Sequence, residues 1–221
     1  MTISGPSPVV RIRNMRPIAW YQFGRGITSS GGLVSRWKDQ GTGAHDLIQA
    51  TGAAQPALQT DGSILFDGTA SVMQTVTFTL AQPTMVYMLF KAVTFTNGDV
   101  LCDGFTVTSG QFLQDTTTPK ISLSAGTTAV GNTTFTLNTY SVGSAQFNGA
   151  SSTFSRNKEA SAAAATVGTT AMAGFTLGAD GTPANFGNVQ VKEVIIFPIA
   201  HTATQQLQVI NYLSSIGGLG L

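Results

Sequence analysis

Few side chains in this 221-residue sequence can do acid–base, nucleophilic or metal chemistry, and they are widely spread. The chain has one cysteine, two histidines and ten acidic residues. His45 and His201 lie far apart and neither belongs to a Cys/His cluster, so no zinc site is predicted. Cys102 lies in the run Val100-Leu101-Cys102-Asp103 with no base beside it, which predicts a buried, inert thiol.

The carboxylates lack the spacing of a glycoside hydrolase. Such enzymes hold a pair of acids, often as E-x-D-x-x-E on one strand, because one carboxyl group attacks while the other donates a proton. Glu193 is flanked by apolar residues and is interpreted as a structural acid, and Glu159 follows Asn157 and Lys158 in a turn. We therefore predict a protein that is not an enzyme, with no catalytic residues, no metal and no cofactor.

The first candidates for ligand binding lie together in one long loop. They are Trp37, Asp39, His45 and Asp46. Aromatic faces bind pyranose rings, but Trp37, like Trp20, has strand-like apolar neighbours that favour packing in a core. The two aspartates can bind a ligand or hydrogen-bond the amides of their own loop. Both interpretations stay open.

Charge is sparse and uneven. Charged residues make up 10% of the chain and the net charge is +1, which predicts no nucleic-acid partner. Six basic residues precede the first acid, Asp39, and Arg11, Arg13 and Arg16 are among them. The alternation Val10-Arg11-Ile12-Arg13 fits a solvated edge strand, and docking onto an acidic neighbour is the alternative. No signal-peptide core or membrane span is predicted.

Short β-branched and aromatic runs separated by turn residues predict an all-β, antiparallel sandwich. The strongest run, residues 85–93, is apolar on both faces and is expected at the centre of a sheet. Residues 75–80 alternate Thr with apolar residues, which predicts a half-exposed strand. Further strands are predicted over residues 20–23, 63–66, 121–124, 140–147, 153–156, 174–178 and 189–197.

One helix is predicted, at the C-terminus. Thr202 and Gln205 have the spacing of a capping box. The apolar residues Leu207, Ile210 and Leu213 then fall on one face, which is expected to pack against the sheet. Gly217-Gly218 is expected to end the helix.

The order of these motifs resembles a known family. WKDQGTGAHDL at residues 37–47 is similar to the W-x-D-x-S-G-x-G-x-D-L stretch of concanavalin A-like (laminin-G-like) domains of phage and bacterial proteins. The F-D-G turn at 66–68, the strand VKEVIIF at 191–197 and the closing helix over 202–217 follow in the family's order. The resemblance covers residues 17–217 and implies a jelly-roll sandwich.

The chain departs from the family's pattern at two places. Ala70-Ser71 stand where acidic residues often follow the F-D-G turn, and Gly41-Thr42 replace Ser-Gly. Ca²⁺ needs six to eight clustered oxygen ligands, and the scattered acids of this chain do not supply them. No metal site is therefore expected.

Two functions are open at this point. The first is a virion structural or attachment protein, such as a capsid decoration protein, head fibre or tail-associated module. Residues 1–16 would then be an extended arm whose Arg11, Arg13 and Arg16 meet acidic groups on capsid or tail subunits, and residues 17–221 the sandwich. The alternative is a carbohydrate-binding module for a glycan or polysaccharide, since a fold alone does not define function. A homo-oligomer and a location in the virion, or outside a cell by a non-classical route, complete these expectations.

Overall fold

The computed structural model describes residues 6–106, 108–115, 119–129, 134–160, 162–163 and 166–221. The helices of this part are α1 (Pro8–Asn14) and α2 (Ala203–Gly217). Its strands are β1 (Ala19–Tyr21), β2 (Ile27–Ser30), β3 (Leu33–Trp37), β4 (Leu47–Ile48), β5 (Ala57–Leu58), β6 (Ile64–Asp67), β7 (Met73–Gln74), β8 (Thr84–Ala92), β9 (Val100–Asp103), β10 (Gln111–Asp115), β11 (Lys120–Ser124), β12 (Thr128–Ala129), β13 (Ser141–Phe147), β14 (Thr153–Arg156), β15 (Ala162–Ala163), β16 (Thr176–Leu177) and β17 (Asn188–Phe197).

The strands form an antiparallel sheet that is nearly closed. Its first stretch runs β15–β14–β13–β8–β17, with β6 against the beginning of β17 and β1 against its end. Its second stretch runs β2–β3–β4–β7–β16–β9–β10–β11–β12. The short β5 pairs with both β3 and β6 and joins the two stretches. The all-β, antiparallel prediction is confirmed.

Two cores hold this sheet together. The larger core contains side chains of both stretches, such as Phe90 and Phe112, and β8 is buried at every position except Lys91. The smaller core lies between the first stretch and the helices, where Tyr87 and Ile195 contact the cluster that includes Leu213. The first stretch therefore has a helix-covered outer face, and the predicted central position of residues 85–93 is confirmed.

The predicted C-terminal helix is present with the predicted caps. The Thr202 hydroxyl accepts a hydrogen bond from the Gln205 amide at 3.3 Å, and the Gln205 side chain accepts one from the Thr202 amide at 2.9 Å. Gly218 ends the helix with a φ of 64°, a conformation that glycine adopts without strain. Within the described residues, no helix is long and apolar enough to cross a membrane.

The predicted buried face of α2 is wrong at one position. Ile210 and Leu213 are buried as expected, but Leu207 is 45% exposed. The buried set of the helix is Val209, Ile210, Tyr212, Leu213 and Ser214. The contact face therefore begins one half-turn later than the sequence pattern indicates, and Leu207 lies outside it.

The edge strand predicted for residues 10–13 and the extended arm are also wrong. Pro8 begins the short helix α1, where a proline needs no amide partner, and Ser7 caps it by accepting a hydrogen bond from Val10. Ile12 is 1% exposed and belongs to the smaller core. In a helix, as in a strand, Ile12 can face the core while its neighbours Arg11 and Arg13 face solvent. The alternating sequence of residues 10–13 therefore does not exclude a helix. Residues 1–5 of the predicted arm lie outside the described residues.

The half-exposed strand predicted over residues 75–80 forms only in part. Strand β7 ends at Gln74, and Leu80 makes a single bridge to Met172. The buried Thr75 hydroxyl accepts a hydrogen bond from the Phe175 amide at 2.9 Å. The predicted alternation is broken, because Thr75 is buried whereas Val76, which is 63% exposed, and Thr77 both face solvent.

Candidate functional site

The loop that carries the predicted ligand residues is organised around Asp39. One carboxylate oxygen accepts hydrogen bonds from the amides of Trp20 at 2.7 Å and Gly41 at 2.6 Å, and the other accepts from His45 at 2.9 Å. Asp46 accepts from the Asp39 amide at 2.8 Å and forms an ion pair with Arg36. The structure therefore brings Asp39, His45 and Asp46 together, but the two aspartates hydrogen-bond amides of their own loop, which is the second of the two interpretations left open above.

The aromatic residues of this loop offer little surface to a ligand. Trp37 is 1% exposed, and its indole nitrogen donates a hydrogen bond to the Gln22 carbonyl at 3.2 Å. The favoured interpretation of Trp37, that it packs in the core, is confirmed. The His45 ring stacks on Phe78 with 3.7 Å between centroids, and burial lowers the pKa of His45. This loop has no open ring face comparable to a sugar platform.

The three predicted partner-binding arginines are exposed on and after α1. Arg11, Arg13 and Arg16 all point away from the buried Ile12, and the side chain of Arg11 donates to the Pro6 carbonyl at 3.0 Å. Arg11 also lines a groove of about 280 Å³ between α1 and α2. The arginines therefore lie on the surface of a packed helix.

A larger groove, of about 450 Å³, lies where β13 begins and where the chain leaves α2. Its walls combine hydroxyl, amide and guanidinium groups with one aromatic ring. We call it the Tyr140 groove; it is lined by Thr136, Thr139, Tyr140, Ser141, Arg156, Asn157, Gly218, Leu219 and Leu221. Polar groups that converge around an aromatic wall are typical of a small-molecule or glycan site.

Tyr140 also belongs to a cluster on the outer face of the first stretch. We call this set the Tyr140 cluster; its members are Phe23, Asp61, Ser63, Lys91, Tyr140, Gln190 and Lys192. Two strands and three connecting segments bring it together: Gln190 of β17 pairs with Lys91 of β8, and Tyr140 immediately precedes β13. A bulge in β17 between Val191 and Glu193 leaves Lys192 without a partner in the ladder, and a bulge re-aims a side chain.

The side chains of the Tyr140 cluster contact one another closely. The Tyr140 hydroxyl donates to Asp61 at 2.9 Å, and the Lys192 ammonium lies 3.5 Å from the same carboxylate. The ammonium groups of Lys192 and Lys91 lie 4.4 and 5.0 Å from the centre of the Tyr140 ring, within range of a cation–π interaction. Lys192 also lies 5.4 Å from the centre of the Phe23 ring.

These contacts shift two pKa values in opposite directions. Partial burial acts to raise the pKa of Asp61, but hydrogen bonds from Ser63 and Tyr140 and the charge of Lys192 outweigh it and lower the pKa to about 2. Burial and the neighbouring Asp61 raise the pKa of Tyr140 to about 12. At neutral pH Tyr140 is therefore a neutral phenol and Asp61 is an ionised carboxylate.

A strongly shifted acid, Glu193, lies outside the groove. Its side chain is fully buried, and its carboxylate accepts hydrogen bonds from the Trp20 indole at 2.5 Å and the Phe23 amide at 3.1 Å. Burial raises its pKa to about 7. Its interpretation as a structural acid agrees with this position, because no ligand can reach it. Among the described residues, no group of three or more His, Cys, Asp or Glu side chains is placed to hold a metal ion.

Comparison with solved structures shows what this fold is similar to. The chain resembles Trypanosoma rangeli sialidase in complex with the inhibitor DANA at a TM-score of 0.61 and 12% identity, over 90% of this chain and 33% of the sialidase. It resembles a GH54 α-L-arabinofuranosidase soaked with a cyclic sulfate inhibitor at a TM-score of 0.63 and 10% identity, over 91% of this chain and 59% of the enzyme. The chain thus spans a third of the sialidase and well under two thirds of the arabinofuranosidase.

No family model matches the chain, and a search of curated proteins finds no match. The likeness to solved structures is therefore a likeness of fold.

The predicted role as a virion structural or attachment protein is wrong. The fold is shared with glycoside hydrolases, and the extended arm on which that role depended is a helix packed by Ile12. The capsid or tail partners and the virion location predicted with it are tested by none of these observations and stay predictions.

The sequence does not predict the Tyr140 cluster, because its members come from five separate parts of the chain. The local signal is that Lys91 is the one charged residue of β8 and that Lys192 lies beside Glu193 in the mainly buried β17.

Proposed function

We propose that this domain binds a carbohydrate, and that the sugar lies in the Tyr140 groove. The observation that carries the proposal is the partly exposed Tyr140 ring at the wall of a groove of about 450 Å³ whose other side chains include hydroxyl, amide and guanidinium groups as well as two leucines. A pyranose has apolar ring faces and an equatorial belt of hydroxyl groups, so it needs an aromatic surface and hydrogen-bonding side chains at the same place.

The groove supplies both kinds of hydrogen-bonding partner. Thr136 and Thr139 are exposed at one wall, and their hydroxyl groups donate and accept. Asn157 adds an amide at the opposite wall, although its side-chain oxygen already accepts a hydrogen bond from the Val142 amide at 2.9 Å. That bond holds the side-chain amide in one orientation. A site held in place before binding loses less entropy when the ligand arrives.

The proposed role is binding without hydrolysis. A glycosidase needs a carboxylic acid that is protonated at working pH next to a second carboxylate. In the Tyr140 cluster, Asp61 has a pKa of about 2 and is ionised, and Glu159 is held in an ion pair by the groove residue Arg156. The acid with a suitable pKa, Glu193, is fully buried.

The concanavalin A-like jelly-roll assignment is part of the same proposal. Three features support it: the two facing stretches of antiparallel strands, the loop organised by Asp39, and the turn in which Asp67 accepts hydrogen bonds from the amides of Thr69, Ala70 and Ser71. These hydrogen bonds hold the pKa of Asp67 well below its usual range. The resemblance of the sequence motifs to that family points the same way.

The test is a glycan array probed with the parent protein, Tyr140→Ala and Tyr140→Phe. The parent is expected to retain at least one glycan, and loss of the ring in Tyr140→Ala should weaken binding about tenfold. Tyr140→Phe keeps the ring and is the matched control, with binding close to the parent. The bound glycan should gain no new reducing ends on incubation. An empty array, or equal binding by Tyr140→Ala, contradicts the proposal.

A further inference from the structure

The two lysines of the Tyr140 cluster are brought together without enough negative charge to balance them. The ammonium groups of Lys91 and Lys192 face the same ring, at 5.0 and 4.4 Å from its centre. Asp61 is the one carboxylate of the cluster and lies 3.5 Å from Lys192. Within the part of the chain that the structure describes, no carboxylate forms an ion pair with Lys91.

Both ammonium groups also have unused hydrogen-bond donors. An ammonium carries three N–H donors, yet neither lysine donates a hydrogen bond to any residue that the structure describes. The side chain of Lys192 is only 12% exposed, so water replaces few of the missing partners. A partly desolvated cation is costly unless it is paired and hydrogen-bonded. The cluster therefore presents a positive site that an anionic group would complete.

Arg156, the cation that lines the groove, does not contribute to this site. Arg156 forms an ion pair with Glu159 and donates to the Thr134 carbonyl at 2.5 Å. Its charge is balanced and its guanidinium is held in place. Among the charged groups that lie beside the Tyr140 ring, positive charge therefore exceeds negative charge.

From this arrangement we infer that the sugar taken by the Tyr140 groove is acidic, and that its carboxylate or sulfate group lies against Lys91 and Lys192 beside Tyr140. The inference rests on the proposed carbohydrate binding and names the class of saccharide. Lys91 supplies donors with no competing carboxylate, whereas Lys192 shares its charge with Asp61. Lys91 is accordingly expected to contribute more to the affinity.

Pairs of polymers that differ only in charge test the inference. Binding is measured by calorimetry for polygalacturonate against neutral galactan, and for dextran sulfate against dextran. At least one acidic polymer should bind about tenfold more tightly than its neutral partner, and rising salt should weaken that binding. Polygalacturonate identifies a carboxylate as the recognised group, and dextran sulfate identifies a sulfate.

Charge-matched variants locate the binding. Lys91→Gln should weaken binding of the acidic polymer about tenfold, and Lys192→Gln should weaken it less. Lys38→Gln is the control: it removes the same charge from an exposed residue that directly follows β3, and it should leave the affinity unchanged. Melting temperatures of all variants, equal to that of the parent within a few degrees, establish that each is folded.

The failures are distinguishable. Equal binding of acidic and neutral polymers overturns the inference and leaves carbohydrate binding standing. An equal loss in Lys38→Gln and Lys91→Gln also overturns it, because the attraction would then be general to the surface. Binding of none of the four polymers and of no glycan on the array overturns both proposals.

Discussion

The indole nitrogen of Trp20 donates a hydrogen bond of 2.5 Å to the carboxylate of Glu193, and both side chains are fully buried beneath α2. Hydrogen bonds from Trp20, Phe23 and Tyr212 favour the ionised acid, but burial outweighs them and raises the pKa of Glu193 to about 7. Glu193, whose hydrogen bonds hold β1 and α2 on the first stretch, therefore changes its protonation state near neutral pH.

The stability of the protein should reflect this acid. The pKa of Glu193 is about 7 in the folded protein against 4.5 for an ordinary glutamate, so the folded state binds the proton more tightly. The contribution of protonated Glu193 to the free energy of unfolding is complete below about pH 4.5 and is lost as pH rises to about 7. Urea unfolding of the parent and Glu193→Gln at several pH values should show the parent losing stability relative to the variant across that window. Parallel curves would show that Glu193 titrates normally.

A second buried group, His201, makes the stability depend on pH in the opposite direction. Nδ1 of His201 shares a hydrogen bond of 2.8 Å with the Tyr87 hydroxyl, and the buried Nε2 has no hydrogen-bond partner among the described residues. Burial lowers the pKa of His201 from 6.5 to about 4. The stability that it contributes is present above about pH 6.5 and is lost as pH falls to about 4. His201→Phe should therefore be less sensitive to acid than the parent in urea unfolding. A variant as acid-sensitive as the parent would contradict this.

The helix α1 is expected to stabilise the domain through one residue. Ile12 is 1% exposed in the smaller core, whereas Val10 on the same helix is 40% exposed. Ile12→Ala should lower the free energy of unfolding by about 2–4 kcal/mol, and the control Val10→Ala by less than about 0.5 kcal/mol. Equal stability of Ile12→Ala and the parent would mean that α1 is not docked.

The docked face of α2 is tested by a second matched pair. Leu213 is fully buried and Leu207 is 45% exposed. Leu213→Asp buries an unpaired charge and should cost several kcal/mol, whereas Leu207→Asp should leave the melting temperature almost unchanged. A larger loss in Leu207→Asp would place the contact face where the sequence pattern put it.

The sequence predicts elements whose signal is local. The strands β8 and β17 are long apolar runs, and α2 carries its capping box and its terminal glycine in the sequence itself. The strands β2, β3, β4, β5, β7 and β10 are not predicted, because none contains a long apolar run and their form depends on the strands with which they pair.

The candidate site is less predictable than the fold. The loop around Asp39 is contiguous in sequence, so its residues are found together, and their hydrogen bonds to loop amides are foreseen. The Tyr140 cluster joins Asp61, Lys91, Tyr140 and Lys192, which meet only once the register of β8, β13 and β17 is known. The feature that the sequence itself shows is a lysine within each of two long, mainly buried strands.

Mapping by NMR tests the central claim, that the Tyr140 groove binds carbohydrate, most directly. Backbone amide shifts of the ¹⁵N-labelled protein are followed while the strongest glycan from the array is added. The largest changes are expected at Thr139, Tyr140, Asn157 and Lys192, with the amides of Asp39 and His45 unmoved. Changes centred on the Asp39 loop, or on any surface away from the Tyr140 groove, would contradict the account.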